Sequence, residues 1–342
     1  MFATLTLPAR FAAGYDMGSP QRSPTVRVRS ADDLRSALRQ AREQPLRMDG
    51  SGMDRLLHLD AKRGLIELQA ATPWRELAKC LASRKIAIEA FAASAALPGT
   101  VGEAVSQSAA GPDGLPVSAH VASITLCTLD GELRRADREV NRDLFRLVLG
   151  GQGAIGVLYS VTLSIESLAA SAASAAPAVE LVFDAAAGSA PECAIECLLP
   201  PTSLDAYLAE VRALAGERRI PLHGITVRRY RGESDAALGW ATHEWAGVEI
   251  RFGVKTTLGA SVAAAEVRRA LLAAALARGG SFPIRDLRDA TRAQVEACYP
   301  MIGAFIADKR LSDPGERLQN QWYRSLVATM RSKSCDVRWA NS

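Results

Sequence analysis

A glycine-rich segment, Gly151-Gln-Gly153-Ala-Ile-Gly156, most constrains the fold, because its neighbours exclude the fold that its spacing suggests. The spacing matches the GxGxxG pattern of dinucleotide-binding turns, which needs a strand before the glycines and a helix after them. Here a predicted helix, Asp143–Leu149, precedes the glycines, and an apolar predicted strand, Val157–Ile165, follows them. We therefore predict a tight helix-to-strand turn with glycines at positive φ, and not a Rossmann phosphate loop.

The length and composition indicate a globular protein of two domains. Of the 342 residues, 48% are hydrophobic and 23% are charged, so the chain can bury a sizeable core. The net charge of +4 is spread along the chain without a block of five like charges. This pattern argues against a nucleic-acid-binding surface and is compatible with small anionic ligands.

Membrane and metal binding have little support in the sequence. No apolar run approaches the ~18 residues of a membrane-spanning helix, and residues 1–20 lack the basic start of a signal peptide. We therefore expect a cytoplasmic protein with no membrane span. The four histidines show no metal-ligand spacing. Cys193 and Cys197 would lie about 13 Å apart on one strand, too far for a disulfide, so we expect free thiols and no metal.

Hydrophobic periodicity and turn residues predict strands alternating with helices along the chain. Before residue 167, the predicted strands are 26–28, 56–60, 65–70, 121–129, 132–134 and 157–165, and the predicted helices are 31–43, 74–83 and 143–149. After residue 190, strands are predicted at 193–199, 225–230 and 248–254, and helices at 204–215 and 262–278. Both halves are therefore predicted to be α+β.

An Ala/Ser run, Ser167–Pro177, separates the halves and is predicted to be a linker, because it has no periodic apolar face and ends in proline. The predicted divisions are a first domain at 1–166, the linker at 167–179, a second domain at 180–290 and a C-terminal segment at 291–342. We expect the C-terminal segment to return to the cleft between the domains.

Several short motifs, taken in their order, resemble one family. In the first half they are Leu65–Ala70 with Trp74–Leu77, Leu97-Pro98-Gly99-Thr100-Val101-Gly102, Asp143-Leu-Phe145, Gly150-Gly-Gln-Gly153, Ile155-Gly156-Val157 and Thr162-Leu163. This half resembles the flavin domain of the vanillyl-alcohol-oxidase superfamily, the PCMH-type FAD-binding domain. In the second half, the motifs are Gly279-Gly280, Cys298-Tyr-Pro300, Phe305, Lys309-Arg310, Asp313-Pro314, Asn320 and Trp322-Tyr323. They resemble the tail of sugar, alditol and aldonolactone oxidases and of decaprenylphosphoryl-ribose oxidase.

The resemblance, over residues 25–166 and 190–326, implies a fold, a cofactor and a reaction. The fold would be α+β, with a two-part PCMH-type FAD-binding domain that clamps an extended FAD and an α+β cap domain that supplies the substrate site. The flavin would take a hydride from an alcohol carbon of a hydroxylated small molecule, of sugar-like or biosynthetic type. The expected cofactor-binding residues are Pro98, Gly99, Thr100, Val101, Gly102, Gly151, Gly153 and Gly156.

The chain departs from the family pattern at three places around the cofactor. The Gly-rich turn for the pyrophosphate, between the first helix and the strand ending near Leu57, is deleted, with Gly50-Ser51-Gly52 as a candidate remnant. Glu103 stands where the family has a second glycine, and its carboxylate would repel a pyrophosphate. Ser106–Gly111 contains no His or Cys, so any bound FAD is expected to be non-covalent.

Two cationic residues of the second domain are the candidate catalytic residues. By the resemblance, Arg228 and Lys255 match positions that contact substrate hydroxyls and the reacting centre in alditol-oxidase-like caps, whereas Thr226 replaces a family glutamate. Arg228 and Lys255 would then stabilise developing negative charge. The alternative is that both are solvated strand residues.

Two functions remain open from the sequence. One is an FAD-dependent oxidoreductase, and the other is a flavin-free homologue whose vacated cleft performs non-redox chemistry or binds a ligand or partner. In both cases we expect a pocket for a small molecule between the domains, with Arg228 and Lys255 as its cationic members. We also expect residues 44–49 to form a short, direct connection that fills the place of the pyrophosphate, because unfilled voids cost packing energy.

Overall fold

The computed structural model describes residues 5–6, 25–43, 46–94, 97–183, 192–255 and 257–332. In the first half, the strands are β1 Leu5–Thr6, β2 Thr25–Arg27, β3 Leu46–Asp49, β4 Leu56–Asp60, β5 Leu65–Gln69, β6 Val121–Cys127, β7 Leu133–Asp137 and β8 Val157–Ser164. The helices there are α1 Ala31–Glu43, α2 Trp74–Ala82, α3 Glu89–Ala92, α4 Val101–Gln107, α5 Arg142–Val148 and α6 Ile165–Ala173. The second half contains β9 Val179–Val182, β10 Glu192–Leu199, α7 Leu204–Glu217, β11 Leu222–Tyr230, β12 Trp245–Gly253, α8 Leu258–Leu276, α9 Arg292–Cys298, α10 Ile302–Ser312, β13 Leu318–Gln319 and α11 Gln321–Arg331.

Two sheets form the first half. One is parallel, in the order β13-β1-β3-β2, and the other is antiparallel, in the order β4-β5-β8-β6-β7. The Ser30 hydroxyl accepts the N–H of Asp33 at 3.1 Å and so caps the start of α1. Leu34 and Leu38 of α1 are 0% and 1% exposed and pack with Met48 of β3 in a core between the two sheets. The spacing of these leucines by four residues explains why α1 presents one apolar face.

The second half is a cap in which helices cover one face of a sheet. Its strands pair antiparallel in the order β10-β12-β11-β9. On the helical face, Tyr207 of α7 donates its hydroxyl to the carbonyl of Leu271 in α8 at 3.2 Å. Glu196, Arg228 and Glu249 lie on the opposite face, toward the first half, because side chains alternate along strands. This mixed architecture confirms the predicted α+β fold class.

The C-terminal segment returns to the first half. There, β13 pairs in parallel with β1. Asn320 donates its side-chain Nδ2 to the carbonyl of Gln152 at 2.6 Å, and its Oδ1 caps α11. Lys309 and Asp313 form an ion pair whose side chains are 0% exposed. The bond from Asn320 to Gln152 therefore holds the segment against the glycine-rich turn.

The glycine-rich turn joins helix α5 to strand β8, as predicted. Of the three glycines in the pattern, only Gly153 has positive φ, at 69°, while the neighbouring Gly150 and Gln152 have φ of 68° and 53°. Glycine adopts this left-handed region at low cost because it has no Cβ. The predicted helix-to-strand turn is therefore confirmed.

Two local predictions were wrong. The Ala/Ser segment begins within α6, whose Ile165, Leu168 and Ser171 are buried, so its spacing by three residues gives a packed face that composition conceals. Leu46–Asp49 is not a bare connection but strand β3, because its backbone pairs with β1 on one edge and β2 on the other. Residues 44–45 of that predicted connection lie outside the described residues. The division into domains at the stated boundaries stays a prediction.

Candidate functional site

A cavity of about 420 Å³ lies between the first half and the cap. Leu97, Pro98, Glu103 and Gln107 form the wall on the side of the first half, and the last two belong to α4. Strands β10, β11 and β12 form the opposite wall, together with residues 283–288. The volume falls in the range of about 300–1,000 Å³ that is typical of small-molecule sites.

The strand side of this interdomain cavity carries an aromatic ring and an ion pair. Arg228 of β11 donates Nη1 to Oε2 of Glu249 on β12 at 2.8 Å. Tyr230 lies two residues further along β11, on the same face, and donates its hydroxyl to Oε1 of Glu196 at 2.5 Å. A Cβ at Gly247 would lie 2.1 Å from the Tyr230 ring, so this glycine allows the ring to rest on the strand backbone.

The segment of residues 283–288 adds two further ion pairs. Arg285 pairs with Glu196, and Arg288 donates Nε and Nη2 to the Asp286 carboxylate at 2.9 and 3.0 Å. Backbone bonds of 2.8 Å in both directions between Leu198 and Ser281 anchor the start of this segment to β10. The three arginines of the cavity are therefore paired one to one with three of its four carboxyl groups.

The pKa values of Arg228 and Asp286 are shifted away from neutral pH, so both groups stay charged. Burial opposes the charge of Arg228, but its bond to Glu249 raises its pKa above the ordinary value. Burial likewise opposes the charge of Asp286, yet the bond from Arg288 keeps the pKa of that carboxyl below its ordinary value. Burial and the neighbouring Glu196 raise the pKa of Tyr230 far above its usual range, so its hydroxyl remains a donor.

Glu103 differs from the other carboxyl groups of the cavity. Its side chain accepts only the amide Nε2 of Gln107, at 3.4 Å, among the contacts of the described residues. Burial raises its pKa to about 7, and the bond from Gln107 offsets this only in part. Glu103 is thus the cavity carboxyl that changes charge near neutral pH.

The two predicted catalytic residues lie in different places. Arg228 lines the interdomain cavity, with its side chain 23% exposed. Lys255 is exposed and lines a separate cavity of about 280 Å³ beside α8, together with Arg218 and Arg219. Thr226, the residue in place of the family glutamate, pairs in register with Glu249. The structure therefore brings Arg228, but not Lys255, to the space between the halves.

The predicted cofactor-binding residues divide between two spaces. Gly102, Gly151, Gly153 and Gly156 line a narrow space between the two sheets of the first half, and Pro98 lines the interdomain cavity. In the loop between them, Thr100 caps α4, Val101 is buried in the core, and a Cβ at Gly99 would meet open space. Four of the eight predicted residues therefore meet at one place.

The narrow space is filled by the protein itself. It encloses about 30 Å³, room for a water molecule or two. Val28, Leu34, Met48 and Met53 line it and are at most 1% exposed. The described residues that line it include no Lys or Arg, so two phosphate charges would be buried there without compensation.

The backbone donors around this space already have protein partners. Gly102 donates its N–H to the carbonyl of Ala70 at 2.7 Å, and a Cβ on it would lie 2.6 Å from the Ala70 Cβ. Gly150, Gly151 and Gln152 donate their N–H groups to backbone carbonyls at 2.8–3.2 Å. The close approach that glycine permits serves chain packing here.

The candidate remnant of the pyrophosphate turn is folded in a similar way. Ser51 donates its N–H to the Oδ1 atom of Asp49 at 3.0 Å, and Met53 donates its N–H to the carbonyl of Gly50 at 2.9 Å. A Cβ at Gly52 would lie 2.6 Å from the Cγ of Arg29. The space at the family glycines is filled by side chains, and the backbone N–H groups of both loops already have protein acceptors. The residues present therefore do not fit FAD.

The interdomain cavity contains residues that the sequence reasoning missed. Glu196 and Glu249 are charged positions within largely apolar strands, a signal for a functional face, and Arg285 follows the buried Phe282 and Ile284. Glu103 was noticed only as an obstacle to pyrophosphate, not as a site residue. The described residues contain no group of His, Cys, Asp and Glu that could hold a metal. None of the described helices combines the length and apolarity needed to cross a membrane.

Known proteins resemble this chain in a domain and in overall fold. Residues 46–137 match the family model of the FAD binding domain. A variant of Physcomitrella patens BBE-like 1 superposes with a TM-score of 0.63 at 11% identity, over 86% of this chain and 90% of that one. Alkyldihydroxyacetonephosphate synthase superposes with a TM-score of 0.58 at 9% identity, over 87% of this chain and 75% of that one. No curated protein sequence matches the chain.

These similarities agree with the architecture. The matched residues 46–137 run from β3 through β7 and include the loop before α4. Both solved structures extend the likeness of fold through the cap. Residues 46–137 therefore match an FAD binding domain, and the chain shares its overall fold with both solved structures.

Proposed function

We propose that this chain is a flavin-free member of the vanillyl-alcohol-oxidase superfamily and that its interdomain cavity binds a small hydroxylated molecule. The observation that carries the proposal is the contrast in volume: about 420 Å³ between the halves and about 30 Å³ where the family glycines meet. A ligand the size of a sugar fits the first space, and the pyrophosphate of FAD does not fit the second.

The lining supports a polar ligand without net charge. Its arginines are held by carboxylates, and each guanidinium keeps N–H groups beyond those used in its ion pair. Carboxylate oxygens and the Tyr230 ring supply acceptors and an apolar surface. A polyhydroxylated molecule offers donors and acceptors to such a lining, and the paired charges favour no net charge on it.

The chain's own residues would bind and orient this ligand. Arg228, fixed by Glu249, donates hydrogen bonds to ligand oxygens, and Leu97 and Pro98 exclude water from the other side. The proposed function of the cavity is non-redox, because the residues present do not fit FAD. Lys255 has no part in it.

FAD binding is the first test. We expect the purified protein to lack flavin absorbance and to give no calorimetric heat when FAD is added. Glu103→Gly alone should not restore binding, because the narrow space stays filled by Met48 and Met53. The double variant Met48→Ala/Met53→Ala, which enlarges that space, tests whether steric exclusion is the cause.

Hydrogen exchange measured with and without FAD can contradict the proposal that the protein binds no flavin. Protection by FAD of residues 49–53 and 98–103 together would overturn the proposal and restore an FAD-dependent oxidoreductase, the alternative that the FAD binding domain of 46–137 favours. Binding to the cavity is tested separately, by calorimetry with xylitol and sorbitol.

A further inference from the structure

Among the described residues, Glu103 is the carboxyl group of the interdomain cavity that has no arginine partner. It lies in the first turn of α4, where its own N–H is bonded to the Thr100 hydroxyl at 3.3 Å, and its side chain is half-buried. The opposite carboxylates, Glu196, Glu249 and Asp286, each accept from an arginine. Within the described part of the chain, Glu103 has no such partner and accepts only a long bond from Gln107.

The groups that face Glu103 across the cavity come from four elements. Arg228 and Tyr230 lie on β11, Glu249 lies on β12 and Glu196 lies on β10. Arg285, Asp286 and Arg288 lie on the segment after α8. Each cation is matched by a carboxylate, so the wall opposite Glu103 carries no net charge. A ligand must therefore compensate the Glu103 charge, or Glu103 must be protonated.

The protonation state of Glu103 determines which ligands the cavity accepts. Burial raises its pKa to about 7, so both forms are populated at neutral pH, whereas the pKa values of Arg228 and Asp286 are shifted away from neutrality. In its protonated form the carboxyl group becomes a hydrogen-bond donor. An ionised Glu103 presents only acceptors and a charge without a partner.

We propose that Glu103 is a hydrogen-bond donor of the interdomain cavity, and that it binds the ligand in its protonated form with its O–H donated to a ligand oxygen. The inference rests on the proposed function of the cavity. In the binding step, one proton from solvent joins the carboxylate oxygen, no other bond changes, and no oxidant is needed. Ligand binding and proton uptake are then linked.

Calorimetry in two buffers of different ionisation enthalpy measures this linkage. At pH 8 we expect the wild type to take up close to one proton for each molecule of xylitol or sorbitol bound, since Glu103 is mostly ionised before binding. Affinity should fall about tenfold for each pH unit above 7.

Three variants separate a proton donor from a structural residue. Glu103→Gln keeps a donor and cannot titrate, so it should bind the probe with the wild-type affinity of pH 6 at every pH and take up no proton. Glu103→Ala should bind weakly at every pH. Glu89→Gln, at an exposed position on α3, is the matched control and should behave as the wild type.

The outcomes are distinguishable. Probe binding by the wild type without proton uptake would overturn the role of Glu103 and leave the proposed function standing. No binding of any probe, by the wild type or Glu103→Gln, would overturn the proposed ligand class and this role with it. A carboxyl 13C signal that Glu103→Gln removes and that titrates below pH 5 would also contradict the proposal.

Discussion

The narrow space of the first half and the interdomain cavity lie on different sides of α4, and their linings differ in chemistry. Gly102, near the start of the helix, packs against Ala70 in a space closed by methionine and leucine side chains. Glu103, the next residue, lines a cavity walled by ion pairs. Apolar side chains close a space because burying them is favourable, whereas paired charges keep one open because they retain water or a polar ligand. The interdomain cavity is therefore open, whereas the narrow space between the two sheets is closed.

The largest expected effect is the loss of stability when a side chain that fills the narrow space is removed. Met48→Ala should lower the free energy of unfolding by about 2–4 kcal/mol, because it removes a side chain that is 1% exposed and leaves a void. Denaturant unfolding measures this loss. Met301→Ala, at a position that is 55% exposed, is the control and should change stability by less than about 0.5 kcal/mol. An unchanged stability of Met48→Ala would show that the space is not a packed core.

The second effect is on ligand binding in the interdomain cavity. Arg228→Ala should weaken probe binding by about 10- to 100-fold, because it removes a donor and leaves the half-buried Glu249 without its partner. The double variant Arg228→Ala/Glu249→Ala separates these causes, since it removes the unpaired charge as well. Lys255→Ala should leave affinity unchanged, because Lys255 lines a different cavity. Equal losses in Arg228→Ala and Lys255→Ala would contradict the separation of the two sites.

The smallest effect is a dependence of stability on pH. The pKa of Glu103 rises from an ordinary 4.5 to about 7 on folding, so the folded state favours the protonated form. The resulting stabilisation is fully present below about pH 4.5 and is lost as the pH rises to about 7. Relative to the wild type, Glu103→Gln should therefore gain about 1 kcal/mol of stability above pH 7, allowing for partial exposure, or about 1–3 °C in Tm. A Tm difference that is the same at pH 4 and pH 8 would contradict this assignment.

Local sequence patterns predicted most of the elements but little of the site. The leucine spacing of α1 and the glycines before β8 are local signals, and the structure confirms both elements. Helix α6 was missed because alanine and serine give little contrast between its buried and exposed faces. Glu196, Glu249 and Arg285 are separated by tens of residues and meet only after the cap sheet has formed, so their pairing has no signature along the chain.

The parallel sheet has a consequence for the order in which this chain can acquire its structure. Strand β3 becomes available early in synthesis, but β1 has β3 on one edge and β13 on the other, and Leu318 of β13 emerges from the ribosome some 270 residues after Leu46. The antiparallel sheet and the cap have all their strands before that point. A nascent chain would therefore wait with one edge of its first sheet uncovered, and such edges are where chaperones act and misassembly starts. The pairing of β13 with β1 therefore requires that most of the chain has been synthesised.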